Sequence, residues 1–143
     1  MKERVIALGF FDGVHLGHAA LLRRTAEEAA RRGCTPAVFT FDRPPKEVVT
    51  GVPCPLINSP EDRRDLIRRL YGIRDVLMVP FDQEMMTTPW EPYITEILVG
   101  RYHAVHLVAG HDHHFGHKNG GNPERLVEKC RELGLGCDII PKV

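Results

Sequence analysis

Five short apolar segments alternate with helical patterns along the chain, and this alternation restricts the possible folds more than any other feature. The segments are rich in β-branched residues and mostly lack polar alternation, and they cover residues 5–8, 36–41, 75–79, 104–109 and 137–140. Strands of this kind are usually covered on both faces. Because helical patterns separate them, right-handed crossovers in a parallel sheet are predicted. We therefore expect an α/β fold with about five mostly parallel strands and helices on both faces.

The helical patterns have recognisable ends. The first pattern runs from about residue 15 to residue 32 and finishes with two arginines before Gly33, which is typical of a helix C-terminus. Between the second and third strands, residues 42–58 hold five prolines or glycines and no periodic pattern, which predicts a long loop. Three further helix starts combine a capping residue with a proline, at Ser59-Pro60, Thr88-Pro89 and Asn122-Pro123.

Composition excludes several classes of protein. The chain has 143 residues, enough for one domain with its own core. Basic and acidic residues number 19 each, so no overall charge favours nucleic acid or an anionic membrane. No apolar run reaches the length of a membrane-spanning helix and no signal-peptide pattern is present, which predicts a cytoplasmic protein. The four cysteines form no C-x-x-C pair and are expected to be reduced.

The main functional signal is the string GFFDGVHLGH at residues 9–18, directly after the first predicted strand. Open α/β sheets bind ligands beyond the carboxyl ends of their strands, and the start of the following helix offers N–H groups to an anion. His15 and His18 are three residues apart, so on a helix they share a face and could donate to phosphate oxygens. Three glycines allow a tight turn and a close approach to a ligand, namely Gly9, Gly13 and Gly17.

This string resembles a known family. Residues 15–18 resemble the H-x-G-H signature of the nucleotidyltransferase superfamily, and the ten-residue string resembles its prokaryotic FAD synthetase branch. Two later stretches agree in order and spacing, FTFDRPP at residues 39–45 and VAGHDHHFG at residues 108–116. The resemblance implies a single-domain, Rossmann-like nucleotidyltransferase fold over residues 1–143. It also implies that FMN attacks the α-phosphorus of ATP, with Mg²⁺ assisting, and that FAD and pyrophosphate are formed.

The resemblance also implies roles for individual residues. His15 and His18 are expected to be catalytic and to contact the ATP phosphates, because phosphoryl-type transfer needs positioning and charge stabilisation more than a covalent nucleophile. Asp112 is a candidate for organising the phosphates or Mg²⁺, and no metal held by the protein alone is predicted. Asp42, Phe115 and the loop that follows Asp42 are candidates for the flavin side. The remaining candidates for nucleotide binding are Gly9, Phe10, Phe11, Asp12, Gly13, Gly17 and Gly110.

Simpler interpretations exist for several of these residues. The two histidines could cap a helix, and Asp42 and Asp112 could serve ordinary turns. Four arginines with helical spacing predict a solvated helix face, namely Arg63, Arg64, Arg68 and Arg69. Six histidines offer the H-x₃₋₅-H spacing of a zinc site, namely His103, His106, His111, His113, His114 and His117. Because alternate strand residues point to opposite faces, these six cannot all converge.

The end of the sequence departs from the resembled family. That family has a Ser-Ser/Thr stretch ending in arginine after the last strand, and nothing up to Val143 matches it. We therefore expect a domain that lacks its C-terminal segment, either because it is a fragment of a longer protein or because it has lost part of its site. The riboflavin kinase module that is often fused behind this domain is expected to lie outside this chain. ATP and FMN are the expected partners. Two other functions stay open: another adenylyl- or cytidylyltransferase of the superfamily, or a non-catalytic protein that binds nucleotide or, through histidines, metal.

Overall fold

Five parallel strands form one sheet in the order β3-β2-β1-β4-β5, seen in a computed structural model that describes residues 2–12 and 16–141. Every neighbouring pair is parallel. The predicted strands are all confirmed, because each observed end lies within one residue of the expected one. The strands are β1 Arg4–Leu8, β2 Thr35–Phe41, β3 Asp75–Val79, β4 Ala104–Gly110 and β5 Gly136–Ile140.

Helices cover both faces of the sheet, as predicted. Val5 and Ala7 of β1 pack with α1 (Leu16–Arg32) and α3 (Pro60–Tyr71) on one face. The alternate β1 residues Ile6 and Leu8 pack on the other face with a π-helix (Tyr93–Arg101) and α6 (Pro123–Leu133). The remaining helical elements are α2 Pro45–Thr50, α4 Gln83–Met86, α5 Trp90–Pro92 and a 3₁₀ turn His117–Asn119.

Two of the three predicted helix caps are present. The side chains of Ser59 and Asn122 accept backbone N–H groups of α3 and α6 at 3.1 and 2.8 Å. The third predicted start differs, because the Thr88 hydroxyl donates to the carbonyl oxygen of Glu84 at 2.8 Å. Thr88 thus belongs to the end of the preceding helical segment, and α5 begins after Pro89 without a side-chain cap.

The long loop predicted over residues 42–58 is partly helical, which corrects that expectation. Residues 45–50 form α2, which begins after Pro44 and ends at Gly51 in the left-handed conformation, with φ of 73°. Proline at the start and glycine at the end are ordinary helix boundaries. The residues that suggested a loop therefore bound a short helix, and residues 51–58 remain irregular.

Two further expectations concern membranes and cysteines. Within residues 2–12 and 16–141, no helix combines the length and apolar character that crossing a bilayer requires. All four cysteines are free, as predicted.

Candidate active site

Two adjoining cavities open at the carboxyl edge of the sheet, at the point where the strand order reverses. β2 pairs with one side of β1, whereas β4 pairs with its other side. The loops after β1 and β4 therefore diverge around a crevice, which is where open α/β sheets bind ligands. Both cavities are lined by Gly9 and Phe10 from the first loop and by His113 and His114 from the second. These four residues, here called the shared wall, separate the two cavities.

The larger cavity has a volume of about 460 Å³, within the range of small-molecule sites. The side chains of Pro45 and Val49 in α2 contribute to its lining, and Lys118 adds a cation. We call it the aromatic cavity because its lining includes the rings of Phe10, Phe39, Phe41, Phe81, Tyr93 and Phe115. A planar aromatic ligand suits such a lining, because aromatic pairs favour offset or edge-to-face stacking.

The smaller cavity has a volume of about 360 Å³ and reaches His18, the third residue of α1. We call it the polar cavity because its lining includes His18, His111, Asp112, His113 and His114. The first turn of α1 contains no acidic residue. No carboxylate in that turn therefore neutralises the partial positive charge of the helix N-terminus. This arrangement suits an anionic group such as a phosphate.

The loop after β1 has an unusual backbone at Phe11. Its φ is 60°, in the left-handed region that bulky residues rarely adopt. The Phe11 ring folds back over Gly9, where an added Cβ would lie only 2.8 Å from the ring. The same ring meets the imidazole of His18 edge-on, with 5.0 Å between the ring centroids. A side chain at position 9 would therefore displace the Phe11 ring from this position.

Arg63 contradicts the predicted solvated helix face. Its side chain is completely buried, whereas Arg68 and Arg69 are exposed as expected. The Arg63 guanidinium donates to the carbonyl oxygens of Phe10 and Phe41 at 3.0 and 2.6 Å. Sequence reasoning missed this residue because charge normally indicates exposure. One signal was available: Arg63 lies four residues before Ile67, so the two side chains share a helix face, and both are buried.

Two of the three aspartates predicted for the site bind backbone groups. The carboxylate oxygens of Asp12 accept the N–H groups of Ile57 and Asn58 at 2.8 and 2.9 Å. Asp42 accepts the N–H of Phe81 at 3.0 Å. Neither carboxylate lines a cavity. The structure gives both residues a role in joining segments of the chain, and their contacts with nucleotide and flavin stay predictions.

The loop after β4 contributes a half-buried histidine, His113, to the shared wall. The ring of His113 stacks on that of Phe115, with centroids 5.6 Å apart and an interplanar angle of 16°. Burial lowers the pKa of His113 to about 4, so the imidazole is neutral near pH 7. Its Nε2 has no hydrogen-bond partner among the residues that the structure describes. His114 is tied locally, because its Nδ1 lies 2.8 Å from the carbonyl oxygen of Asp112.

The structure brings most of the predicted site residues together. The polar cavity collects six of them, namely Gly9, Phe10, Phe11, His18, Gly110 and Asp112. Phe115 lines the aromatic cavity, on the predicted flavin side. Gly17 is the second residue of α1, while Gly13 and His15 lie outside the described residues. The roles of all these residues stay predictions.

The six histidines of the alternative metal site do not converge. Four of them surround the cavities, namely His111, His113, His114 and His117. His106 instead lies beside Asp138, with its Nε2 2.9 Å from a carboxylate oxygen. Glu28, His106 and Asp138 could each direct one ligand atom to a common point. Arginines already occupy the two carboxylates, because Arg31 lies 2.7 Å from Glu28 and Arg24 lies 3.1 Å from Asp138. The group is an ion-pair cluster that joins α1 to β4 and β5.

The fold and the two cavities define a Rossmann-like α/β protein with a crevice at the carboxyl edge of its parallel sheet. The family model described as FAD synthetase matches residues 1–143, and the chain belongs to the FAD synthetase family. The family predicted from the GFFDGVHLGH string is thereby confirmed.

Several curated relatives carry the name bifunctional riboflavin kinase/FMN adenylyltransferase. The Listeria monocytogenes protein is 33% identical over 128 residues, which are 88% of this chain and 40% of the relative. The Bacillus subtilis protein is 31% identical over 143 residues, with 99% and 44% coverage. The Escherichia coli K12 protein is 32% identical over 133 residues, with 92% and 42% coverage. The chain thus spans less than half the length of these relatives.

A solved structure shares the fold. It is described as a macrolide-efflux protein from Streptococcus pneumoniae, and it matches 99% of this chain and 46% of its own with a TM-score of 0.83. The sequence identity is 24%, so this likeness supports the architecture alone.

Proposed function

We propose that this chain is an FMN adenylyltransferase, which transfers AMP from ATP to FMN and forms FAD and pyrophosphate. The observation that carries the proposal is the shared wall between two cavities of different character. A flavin ring suits the aromatic cavity, and the nucleoside triphosphate suits the polar cavity. With the ligands so placed, the FMN phosphate and the α-phosphate of ATP would meet at this wall. Family membership and the names of the relatives support the same reaction.

The proposed chemistry needs no covalent intermediate on the protein. An oxygen of the FMN phosphate forms a bond to the α-phosphorus, and the bond from that phosphorus to the bridging oxygen breaks as pyrophosphate leaves. Such a transfer depends on positioning and on stabilising charge. His18 and the N-terminal N–H groups of α1 are suited to the phosphate oxygens. We propose the same role for His15, which precedes α1.

We propose that Mg²⁺ enters with ATP. Among the described residues, Asp112 supplies the one carboxylate that lines the polar cavity. Mg²⁺ is usually held by one or two carboxylates together with substrate phosphates, so this residue fits the ion. When bound, the ion neutralises charge on the triphosphate. Asp112 would orient the charged triphosphate against the shared wall.

The proposal covers adenylyl transfer only. The riboflavin kinase activity in the relatives' names is not proposed for these residues, because they match less than half of each relative. We also propose the cytoplasm as the location, since four free cysteines suit a reducing compartment.

Incubation of the chain with ATP, Mg²⁺ and FMN tests the proposal. We expect FAD and pyrophosphate in equal amounts, separated by chromatography and by a coupled pyrophosphate assay. Riboflavin is the matched control, because it has the same ring system and lacks the attacking phosphate, so it should give no product. Product with another phosphate ester but none with FMN would indicate a different nucleotidyltransferase. Bound zinc without nucleotide affinity would indicate a metal-binding protein.

A further inference from the structure

A buried arginine lies directly behind the shared wall. The side chain of Arg63 has no exposed surface and is the largest of the fully buried side chains. Burial lowers the pKa of this guanidinium, while the charges of Asp12 and Asp42 act in the opposite direction. Moving a charged group out of water is unfavourable unless hydrogen bonds compensate. The buried guanidinium of Arg63 therefore needs hydrogen-bond acceptors within the fold.

The guanidinium of Arg63 holds two strand ends together. Its Nη1 donates to the carbonyl oxygen of Phe10 after β1, at 3.0 Å, and its Nη2 donates to the carbonyl oxygen of Phe41 at the end of β2, at 2.6 Å. The same group stacks over the Phe10 ring, 4.2 Å from its centroid. A planar fork can bridge two acceptors and stack on a ring at once, whereas the single ammonium of lysine cannot.

The peptide that Arg63 contacts is the one with the unusual backbone. The carbonyl oxygen of Phe10 also accepts the hydroxyl of Thr40 at 2.9 Å, so two donors fix the peptide between Phe10 and Phe11. The next residue, Phe11, has a φ of 60°. A left-handed conformation at a bulky residue persists only where its surroundings determine it. Arg63 and Thr40 supply that constraint on the carbonyl side.

We propose that Arg63 is a positioning residue for the proposed adenylyl transfer, because it fixes the Phe10–Phe11 peptide and thereby the shared wall. This inference rests on the proposed function. Arg63 lines neither cavity, so it acts through Phe10, which lines both. The residue keeps the polar cavity in the shape that the nucleotide needs before it binds.

Two variants remove the two donors separately. Arg63→Lys keeps the charge and loses the fork, and Thr40→Val keeps the shape and loses the hydroxyl. The readouts are the affinity for a non-hydrolysable ATP analogue by calorimetry and kcat for FAD formation, at a temperature where circular dichroism shows each variant folded. We expect Arg63→Lys to lower both by roughly 10- to 100-fold, and Thr40→Val to lower both by less. The double variant should lose less than the product of the two effects, because both donors hold one oxygen.

Ile67→Val and Arg69→Lys are the matched controls on the same helix. The aliphatic side chain of Ile67 is completely buried and cannot form a hydrogen bond. Ile67→Val therefore shows the effect of lost core packing on stability alone. Arg69 is exposed, so Arg69→Lys shows what an arginine-to-lysine substitution on this helix does when the guanidinium is not buried. Neither control should change affinity or kcat.

The possible results distinguish a positioning role of Arg63 from a purely structural one. If folded Arg63→Lys keeps the wild-type affinity and kcat and loses only thermal stability, as Ile67→Val does, Arg63 is structural and the inference is wrong. If the wild type binds the analogue but makes no FAD, the proposed function fails, and the affinities of the variants still decide on Arg63. If the wild type binds no analogue, both proposals are wrong.

Discussion

His18 provides the most direct test of the site at the level of single residues. Its imidazole lines the polar cavity and packs against the Phe11 ring. His18→Ala should reduce kcat/KM for FAD formation by about 10²–10³, equivalent to roughly 2.7–4 kcal/mol, which is typical of removing one charge-stabilising donor. Alanine favours the helix, so α1 should persist. Arg23→Ala is the control, because Arg23 is exposed on the same helix. Unchanged kinetics in His18→Ala would contradict its assignment.

Asp112 should act on the metal dependence of the reaction. Asp112→Asn removes the carboxylate from the polar cavity with little change in shape, so we expect a higher Mg²⁺ concentration for half-maximal activity. A Mg²⁺ titration of initial rates measures this. Asp65→Asn is the control, because Asp65 is exposed on α3 and lines neither cavity, so its variant should leave the Mg²⁺ dependence unchanged. Equal losses of stability and activity in Asp112→Asn, with no shift in the titration, would support a turn role.

His113 should make the stability of the fold depend on pH. Its pKa is lowered by burial from the usual 6.5 to about 4, so the unfolded chain binds the proton first as the pH falls. The contribution of His113 to the free energy of unfolding should be constant above about pH 6.5. It should fall by roughly 1–3 kcal/mol as the pH is lowered from about 6.5 to 4. His113→Phe keeps a ring beside Phe115 and removes the titration.

Unfolding free energies of wild type and His113→Phe, measured by denaturant from pH 7 to pH 4, test this prediction. The wild type should lose more stability than the variant across that window. His117→Phe is the control, because His117 is exposed, and its curve should follow the wild type. Parallel curves for the wild type and His113→Phe would show that His113 is not a source of the pH dependence.

At the level of elements, Asp12 fastens the irregular segment 51–58 to the loop after β1. The segment is mostly exposed, and its two last N–H groups donate to the Asp12 carboxylate. Hydrogen bonds to charged groups contribute about 1.5–3 kcal/mol each. Asp12→Ala should therefore accelerate amide hydrogen exchange at Ile57 and Asn58 by at least about 10-fold, while the strands keep their protection. Uniform acceleration over the whole chain, or none at these two amides, would contradict this role.

The elements also show where sequence reasoning succeeded. Continuous apolar runs predicted all five strands because both faces of the sheet are covered. The short helix α2 was missed because it has no buried residue and so no apolar periodicity. The π-helix was expected as an ordinary helix, because the capping signal at Thr88-Pro89 predicted a helix start there. A start signal does not specify the hydrogen-bond pattern of the helix that follows.

At the level of the whole molecule, the GFFDGVHLGH string indicated one wall of the polar cavity. Four of its residues line that cavity and lie close together in sequence, namely Gly9, Phe10, Phe11 and His18. The aromatic cavity was not predictable in the same way. Apart from Phe10, its rings come from β2, from the segment after β3, from the π-helix and from the loop after β4. Only the strand order brings these segments to one edge of the sheet. The burial of Arg63 was not predicted for the same reason, since the carbonyl oxygens that it binds, those of Phe10 and Phe41, lie 53 and 22 residues before it in the sequence.

The central claim is that the two cavities present the FMN phosphate to the α-phosphorus of ATP. The most direct measurement follows isotopic phosphorus from ATP into products, with the label placed at the α-position in one reaction and at the γ-position in another. The account predicts that the α-label appears in FAD and the γ-label in pyrophosphate, in equal amounts. A γ-label in the flavin product, or an α-label released as AMP with no FAD formed, would contradict it.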